Sequence, residues 1–151
     1  MAGFFDTSAL AKVYHDEPGA DFMRNLVRNS AAPYIANLGV VEMYSVLSNK
    51  VRSLAISTDE ARIVRSHFLS DIRKGAFRVV ALNRSHFAHA QTLLERHGDS
   101  EGLRTLDALH LAVALDLAKR NLAEMLLTSD NVLLRVALRE GLVAFNPSLA
   151  V

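Results

Sequence analysis

The stretch Leu103 to Ala118, LRTLDALHLAVALDLA, constrains the fold of this chain more than any other. Leu103, Leu106, Leu109, Ala112, Val113, Leu115 and Leu117 keep a helical period but cover far more than one narrow stripe. A helix of that kind is buried over most of its surface. Asp107 nevertheless stands in its first turn, and an unpaired carboxylate there is costly to desolvate. Either something neutralises it or it faces a cleft. The plainer account is an acid at the positive end of the helix dipole, with Thr105 as N-cap.

A chain of 151 residues, half of them apolar, suits a single domain over 1–151 with room for a real core. Cysteine is absent, which excludes a disulfide scaffold and thiolate metal sites and fits a reducing cytoplasm. No run of about 18 uncharged apolar residues exists, so no membrane span is expected. The start, MAGFFDTSALAK, has no basic region ahead of an apolar one and does not read as a signal peptide. A formal net charge of +1 argues neither for nor against nucleic acid. Lys50, Arg52, Arg62, Arg65, Arg73, Lys74 and Arg78 make the middle basic. They read as solvated helix faces; a role in binding nucleic acid needs them on the rim of one cleft.

Taken in order, Ala2 to Phe5 reads as a central parallel strand with Asp6 at its carboxyl end. A helical turn starts at Ser8, and Pro18 is placed to start the next helix, Ala20 to Arg28. Tyr34 to Ala36 is a second strand. Asn37 is placed to cap a helix from Leu38 to Val51, with Glu42 in its second turn. Thr58 opens a helix that stops at Lys74-Gly75. Phe77 to Leu82 is a third strand, and Asn83 caps a helix to about Arg96. His86 and His89 are three apart, but with no third nitrogen or sulfur ligand in sight they read as helix-surface histidines. His97 to Arg104 is a polar loop before the central helix. Met125 to Thr128 is a fourth strand, ending at Ser129-Asp130. Val132 to Arg139 is a short helix, Leu142 to Phe145 a last strand, and Pro147 ends the ordered chain.

Strands alternating with helical patterns mean an α/β domain with a parallel sheet covered on both faces. Ligands of such sheets bind outside the carboxyl ends of the strands, near the switch in strand order. Asp6 and Asp130 stand at strand ends, Glu42 lies six residues past one, and Asp107 is on a helix that opens on the same edge if the chain is wound that way. Clustered carboxylates repel one another unless a cation is present. Oxygen ligands without cysteine or a histidine set suit Mg²⁺ or Mn²⁺, and such an ion suits phosphodiester hydrolysis. Thr7, Ser8, Thr128 and Ser129 can orient the carboxylates or touch phosphate; ordinary strand-end capping explains them as well.

Phe5-Asp-Thr-Ser-Ala-Leu-Ala-Lys12, Val41-Glu42, Leu103-Arg-Thr-Leu-Asp-Ala-Leu-His-Leu-Ala112, Leu127-Thr-Ser-Asp130 and Gly141-Leu-Val-Ala-Phe-Asn-Pro147 resemble, in order and spacing, the motifs of PIN domains. The resemblance is greatest to VapC-like toxins of prokaryotic toxin–antitoxin pairs. It implies a three-layer α/β/α domain with a five-stranded parallel sheet. It further implies a Mg²⁺- or Mn²⁺-dependent endoribonuclease with Asp6, Glu42, Asp107 and Asp130 as catalytic and metal-binding quartet. A homodimer and a small VapB-like antitoxin that blocks the site are implied too. By the same resemblance, Thr7 or Ser8 is expected to support the first aspartate, and Thr128 or Ser129 the last. Lys12 and Arg104 match the pattern as candidate contacts to RNA phosphate; a partly exposed helix lysine and a structural ion pair are the alternatives. His110, one turn after Asp107, reads as a packing residue.

Three rival functions fit parts of the pattern. A receiver-like phosphoacceptor has acids and a hydroxyl at strand ends, but it wants a lysine after a late strand, and none follows. A binding module would use the acids only structurally. A metal-dependent nuclease of RNA processing or DNA repair would work without an antitoxin.

Overall fold

The computed structural model describes residues 2–150. Five short strands build it: β1 (Gly3–Phe5), β2 (Tyr34–Ala36), β3 (Arg78–Val80), β4 (Met125–Leu127) and β5 (Val143–Phe145). They form one all-parallel sheet in the order β3-β2-β1-β4-β5, with Phe5 beside Ile35 on one side and Leu127 on the other. Seven helices connect them: α1 (Thr7–Tyr14), α2 (Ala20–Asn29), α3 (Asn37–Arg52), α4 (Thr58–Arg73), α5 (Arg84–Glu101), α6 (Thr105–Lys119) and α7 (Asn131–Arg139). No helix among the described residues is long and apolar enough to cross a membrane.

The two-residue period of the strands sorts their side chains into two cores. Phe4, Tyr34, Ala36 and Leu126 face one way and pack with α5, α6 and α7 through Leu93, Leu111, Val113, Leu117, Leu133 and Val136. Phe5, Ile35 and Leu127 face the other way and meet Leu10, Met23, Met43 and Phe68 from α1 to α4. Three layers result, as expected. The central helix α6 is buried from Ala108 to Ala114, matching its all-round apolar pattern. Leu106 is the exception and is exposed.

Several boundaries and caps differ from the sequence reading, each for a local reason. The stretch 97–101 is helix, not loop: α5 continues to Glu101 and stops at Gly102, whose φ of 74° needs no Cβ. Glu101 is tied there to Arg135 and Arg139 of α7. Helix α6 is preceded by Arg104, so Thr105 is its first residue and not its cap. Asn37 does not cap α3; its Oδ1 accepts the Leu82 amide instead. Ser57, ahead of Thr58, caps α4 in a reciprocal pair with Glu60. Helix α2 starts after Gly19, beyond Pro18. The third strand is shorter than 77–82, and Pro147 opens a 3-10 turn to Leu149. His86 is buried, not on the surface: it sits three residues after the cap Asn83, and its Nδ1 accepts the Asn83 amide.

Candidate functional site

The strand order changes direction at β1, whose onward connection goes to β2 on one side while β4 comes back on the other. At such a switch the connecting segments diverge and leave a crevice at the carboxyl edge. The chain places its acids there. Asp6 leaves β1 and is the N-cap of α1; Asp130 leaves β4 region and is the N-cap of α7. Glu42 is on α3, which follows β2 directly, and Asp107 is in the first turn of α6.

Asp6 is 4% exposed and fully engaged. Its Oδ1 accepts the Ala9 amide at 2.9 Å, closing the cap of α1. Ser8 Oγ donates to the carboxylate at 2.8 Å, and Thr128 Oγ1 donates to Oδ2 at 2.6 Å. Two relays tie this group to the loop after β4. Ser129 donates its amide to Ser8 Oγ, and Asp130 donates its amide to Thr128 Oγ1. Burial raises the Asp6 pKa, against the hydrogen bonds of Thr128, Ala9 and Ser8 and the charge of His110.

Glu42 has a separate support. Thr7 Oγ1 donates to its Oε1 at 2.9 Å, and the same oxygen meets His110 Nε2. A carboxylate oxygen only accepts, so His110 carries hydrogen on Nε2, and its buried Nδ1 has no partner. Burial alone pushes the Glu42 pKa up; the hydrogen bond and charge of His110, the Thr7 hydroxyl and the charge of Arg104 outweigh it and hold it low. Gly39, one turn before Glu42, makes room here. A Cβ on it would lie 3.4 Å from Thr7 Oγ1 and 3.6 Å from His110 Cε1.

The remaining two acids share one cation. Arg104 Nε donates to Asp107 Oδ2 at 2.9 Å, and its Nη2 donates to Asp130 Oδ2 at 3.0 Å. Asp130 Oδ1 accepts the Leu133 amide at 2.9 Å. Burial raises the Asp107 pKa, opposed by Arg104 and reinforced by the neighbouring charge of Asp130. A cavity of about 410 Å³ opens beside Glu42, Arg104, Thr105, Leu106 and Asp107.

Of the supporting hydroxyls, Ser8 reaches Asp6, and Thr128 both donates to Asp6 and accepts the Asp130 amide. Thr7 serves Glu42 and not Asp6, and Thr128 reaches the first aspartate and not the last carboxylate. Ser129 Oγ is near Ser148 Oγ and touches neither acid. Lys12 lies in the last turn of α1, buried, with its Nζ 3.4 Å from Glu17. It is not among the acids, nor are the basic residues of the middle. Arg65 lies over the Tyr44 ring and Arg78 over the Tyr34 ring. His110, read as packing, is both buried and a direct partner of Glu42. Its place one turn after Asp107 was the available signal.

Hard oxygen donors without thiolates fit a divalent ion such as Mg²⁺ or Mn²⁺. The Arg104 guanidinium, held between two of the acids, is a positive group at that position and supports the same reading. Among the described residues, no three Asp, Glu or His side chains are gathered closely enough to hold one ion.

A family model described as PIN domain matches residues 3–138. Solved structures resemble the whole chain at low identity. Mycobacterium tuberculosis VapC20, described as a sarcin-ricin loop cleaving toxin, is 18% identical with a TM-score of 0.68, covering 97% of this chain and 100% of that one. FitAcB from Neisseria gonorrhoeae is 14% identical with a TM-score of 0.65, covering 95% and 96%. VapBC2 from Rickettsia felis, bound to a promoter DNA fragment, is 14% identical with a TM-score of 0.61, covering 97% and 98%. No curated protein matches the chain.

Proposed function

The chain belongs to the PIN domain family, and from that premise we propose that it is a Mg²⁺- or Mn²⁺-dependent endoribonuclease, the toxin of a VapBC-type toxin–antitoxin pair. One observation carries the reading: Asp6, Glu42, Asp107 and Asp130 come from four separate segments to the carboxyl edge of the sheet, beside the β1–β4 switch. Carboxylates are costly to bring together without a cation, so this arrangement is not one that packing alone favours.

Asp6, Glu42, Asp107 and Asp130 would hold the metal. The ion, when bound, supplies Lewis acidity toward a phosphodiester and lowers the pKa of an attacking water. The chain's own residues do the positioning. Ser8 and Thr128 aim the Asp6 carboxylate, while Thr7 and His110 aim that of Glu42. The first-turn amides of α1 and α7 each donate to one oxygen, of Asp6 and Asp130 respectively, and so help to fix the orientation of each carboxylate. The open cavity beside Asp107 gives an RNA strand access from solvent.

The same acids suit a protein inhibitor. An arginine of an antitoxin tail would pair with Asp6 or Asp130, since guanidinium matches a carboxylate with two parallel bonds. The solved neighbours include a toxin–antitoxin complex from Klebsiella pneumoniae, which is consistent with such a partner here. A homodimer and a cytoplasmic site of action belong to the same reading.

Purified protein incubated with total cellular RNA and Mg²⁺ or Mn²⁺ tests it, with EDTA and Asp107→Asn as controls. A few discrete products that vanish in both controls are expected. Cleavage that persists in Asp107→Asn would reject the site. A second reading is a non-catalytic module in which the acids serve structure only. Metal-dependent melting with no RNA product from any pool would select it.

A further inference from the structure

Helices α5 and α7 meet through two acids and four basic side chains. Glu101, the last residue of α5, takes Arg135 and Arg139 of α7. Glu140, just past α7, takes Arg96 and His97 of α5. Fastening two helices needs one basic partner for each acid. This junction has two.

The charges are also sorted by depth. The side chains of Glu101 and Glu140 are only 10% and 12% exposed, while those of Arg96 and Arg135 are each 52% exposed and that of Arg139 is 59% exposed. The carboxylates lie beneath and the guanidinium groups form the surface. Each arginine meets its acid through a single nitrogen: Nη1 of Arg96 at 2.8 Å, Nε of Arg135 at 3.4 Å, and Nη1 of Arg139. A guanidinium has five N–H donors, so most of each group's donors lie outside these pairs. Pairs this exposed add little stability. They do hold long side chains in place, so less side-chain entropy is lost when an anion binds.

The junction continues from one wall of the crevice. Asp130 is the N-cap of α7. Arg135 and Arg139 therefore stand roughly 8 and 14 Å beyond it along the helix axis. Glu101, beneath them, is three residues before Arg104, whose Nη2 donates to Asp130. The crevice itself is a poor anchor for a phosphate strand, because its carboxylates repel phosphate. Lys12 is buried against Glu17, and Arg104 is engaged by Asp107 and Asp130. An RNA strand needs cations elsewhere, within reach of the crevice.

We propose that Arg96, Arg135 and Arg139 form a phosphate track that holds the RNA strand beside the crevice, along the α5–α7 junction and several nucleotides from the bond that is cut. The proposal rests on the nuclease reading above for the identity of the polyanion. Contacts of this kind are made to the backbone and carry no base preference, so the track anchors the strand without choosing its sequence.

The salt dependence of RNA binding separates this role from a merely structural one. A labelled short oligouridine and a matching oligoadenosine are titrated by anisotropy in EDTA, from about 50 to 200 mM salt. The proteins are wild type, Arg96→Gln, Arg135→Gln and Arg139→Gln. Each single variant leaves its acid one basic partner, His97 for Glu140 and the other arginine for Glu101, so the junction stays fastened. Each lost phosphate contact is expected to make the slope of log K against log salt shallower by about 0.7, with both RNAs weakened alike. Arg139→Lys keeps the charge and should keep the wild-type slope. Arg62→Gln, in an exposed pair with Asp59 on α4, controls for the loss of one positive charge. It should match wild type.

Wild-type slopes in all three glutamine variants overturn the proposal. Equal losses in Arg62→Gln overturn it too, as a general field effect. A labelled polyglutamate titrated alongside gives the remaining outcome: if the variants lose affinity for it and not for RNA, the surface takes an acidic protein instead. Wild type that binds no RNA in EDTA yet cleaves total RNA with a divalent ion overturns the track alone. Neither binding nor cleavage removes the nuclease reading with it.

Discussion

Thr128 and Asp6, 122 residues apart in sequence, are joined by a 2.6 Å hydrogen bond in which the Thr128 hydroxyl donates to Asp6 Oδ2. The same hydroxyl oxygen accepts the Asp130 amide at 3.0 Å, so one fully buried side chain orients the first acid and the turn that carries the last. Thr128→Val keeps the shape and removes both bonds. It leaves a buried carboxylate oxygen with one donor fewer and a backbone amide with none. We expect a loss of about 1–3 kcal/mol, read as a thermal midpoint lowered by several degrees in EDTA. Thr128→Ser keeps the hydroxyl and should recover most of that bond energy. A valine variant as stable as the serine one would contradict this account.

Asp6 and Glu42 predict opposite pH dependences. Burial raises the Asp6 pKa above its ordinary 3.8, so its contribution to stability is fully present below that value and is lost as pH rises through the folded pKa. In metal-free protein, Asp6→Asn should therefore be stabilising at neutral pH and nearly neutral in acid. The Glu42 pKa lies below its ordinary 4.5, so its contribution is present above that value and is lost as pH falls through the folded pKa. Glu42→Gln should destabilise at neutral pH, with the difference shrinking in acid. Denaturant midpoints from pH 3 to pH 8, run in EDTA, compare the two curves; parallel curves would refute the assignment.

His110 is the predicted dependency of Glu42. Its Nε2 meets Glu42 Oε1 while Phe4 packs near its ring, at 6.0 Å between centroids. His110→Leu fills the space but removes the donor. Loss of a residue that orients a metal ligand costs about 10- to 100-fold in metal affinity or activity. His110→Gln offers an amide hydrogen in place of the imidazole one and should restore part of the loss. Calorimetric Mn²⁺ titration of both variants checks it. Equal affinities in leucine and glutamine variants would reduce His110 to a packing residue.

Much of the layered fold is written locally. The three residues of β2 alternate Tyr34, Ile35, Ala36 between two cores, and the all-round apolar Leu103–Ala118 could only be a helix buried in the middle. The positions of the four acids follow from strand ends and helix starts, which turn residues mark. Their partners do not follow. Which hydroxyl reaches which carboxylate depends on how β1 and β4 lie side by side, so Thr7 went to Glu42 and Thr128 to Asp6. The residues 97–101 carry no apolar period, and their helix is held by Glu101 pairing with Arg135 and Arg139, a contact between α5 and α7 that no local pattern announces. His86 reads as a surface residue when it is considered only as a possible metal pair with His89, yet Asn83 at N-cap and His86 three residues on repeat the spacing of a capping box.

The strand order also bears on synthesis. Strand β1 is the first to leave the ribosome, yet its neighbour β4 begins only at Met125. Until then β1 has β2 on one side and an open edge on the other. Thr128, Ser129 and Asp130 are still missing, so Asp6 lacks its strongest hydroxyl donor and the crevice lacks a wall. A nascent or prematurely terminated chain ending at α6 already contains three of the four acids but no assembled edge. The edge that carries the four acids is thereby closed only once the segment after β4 has been made.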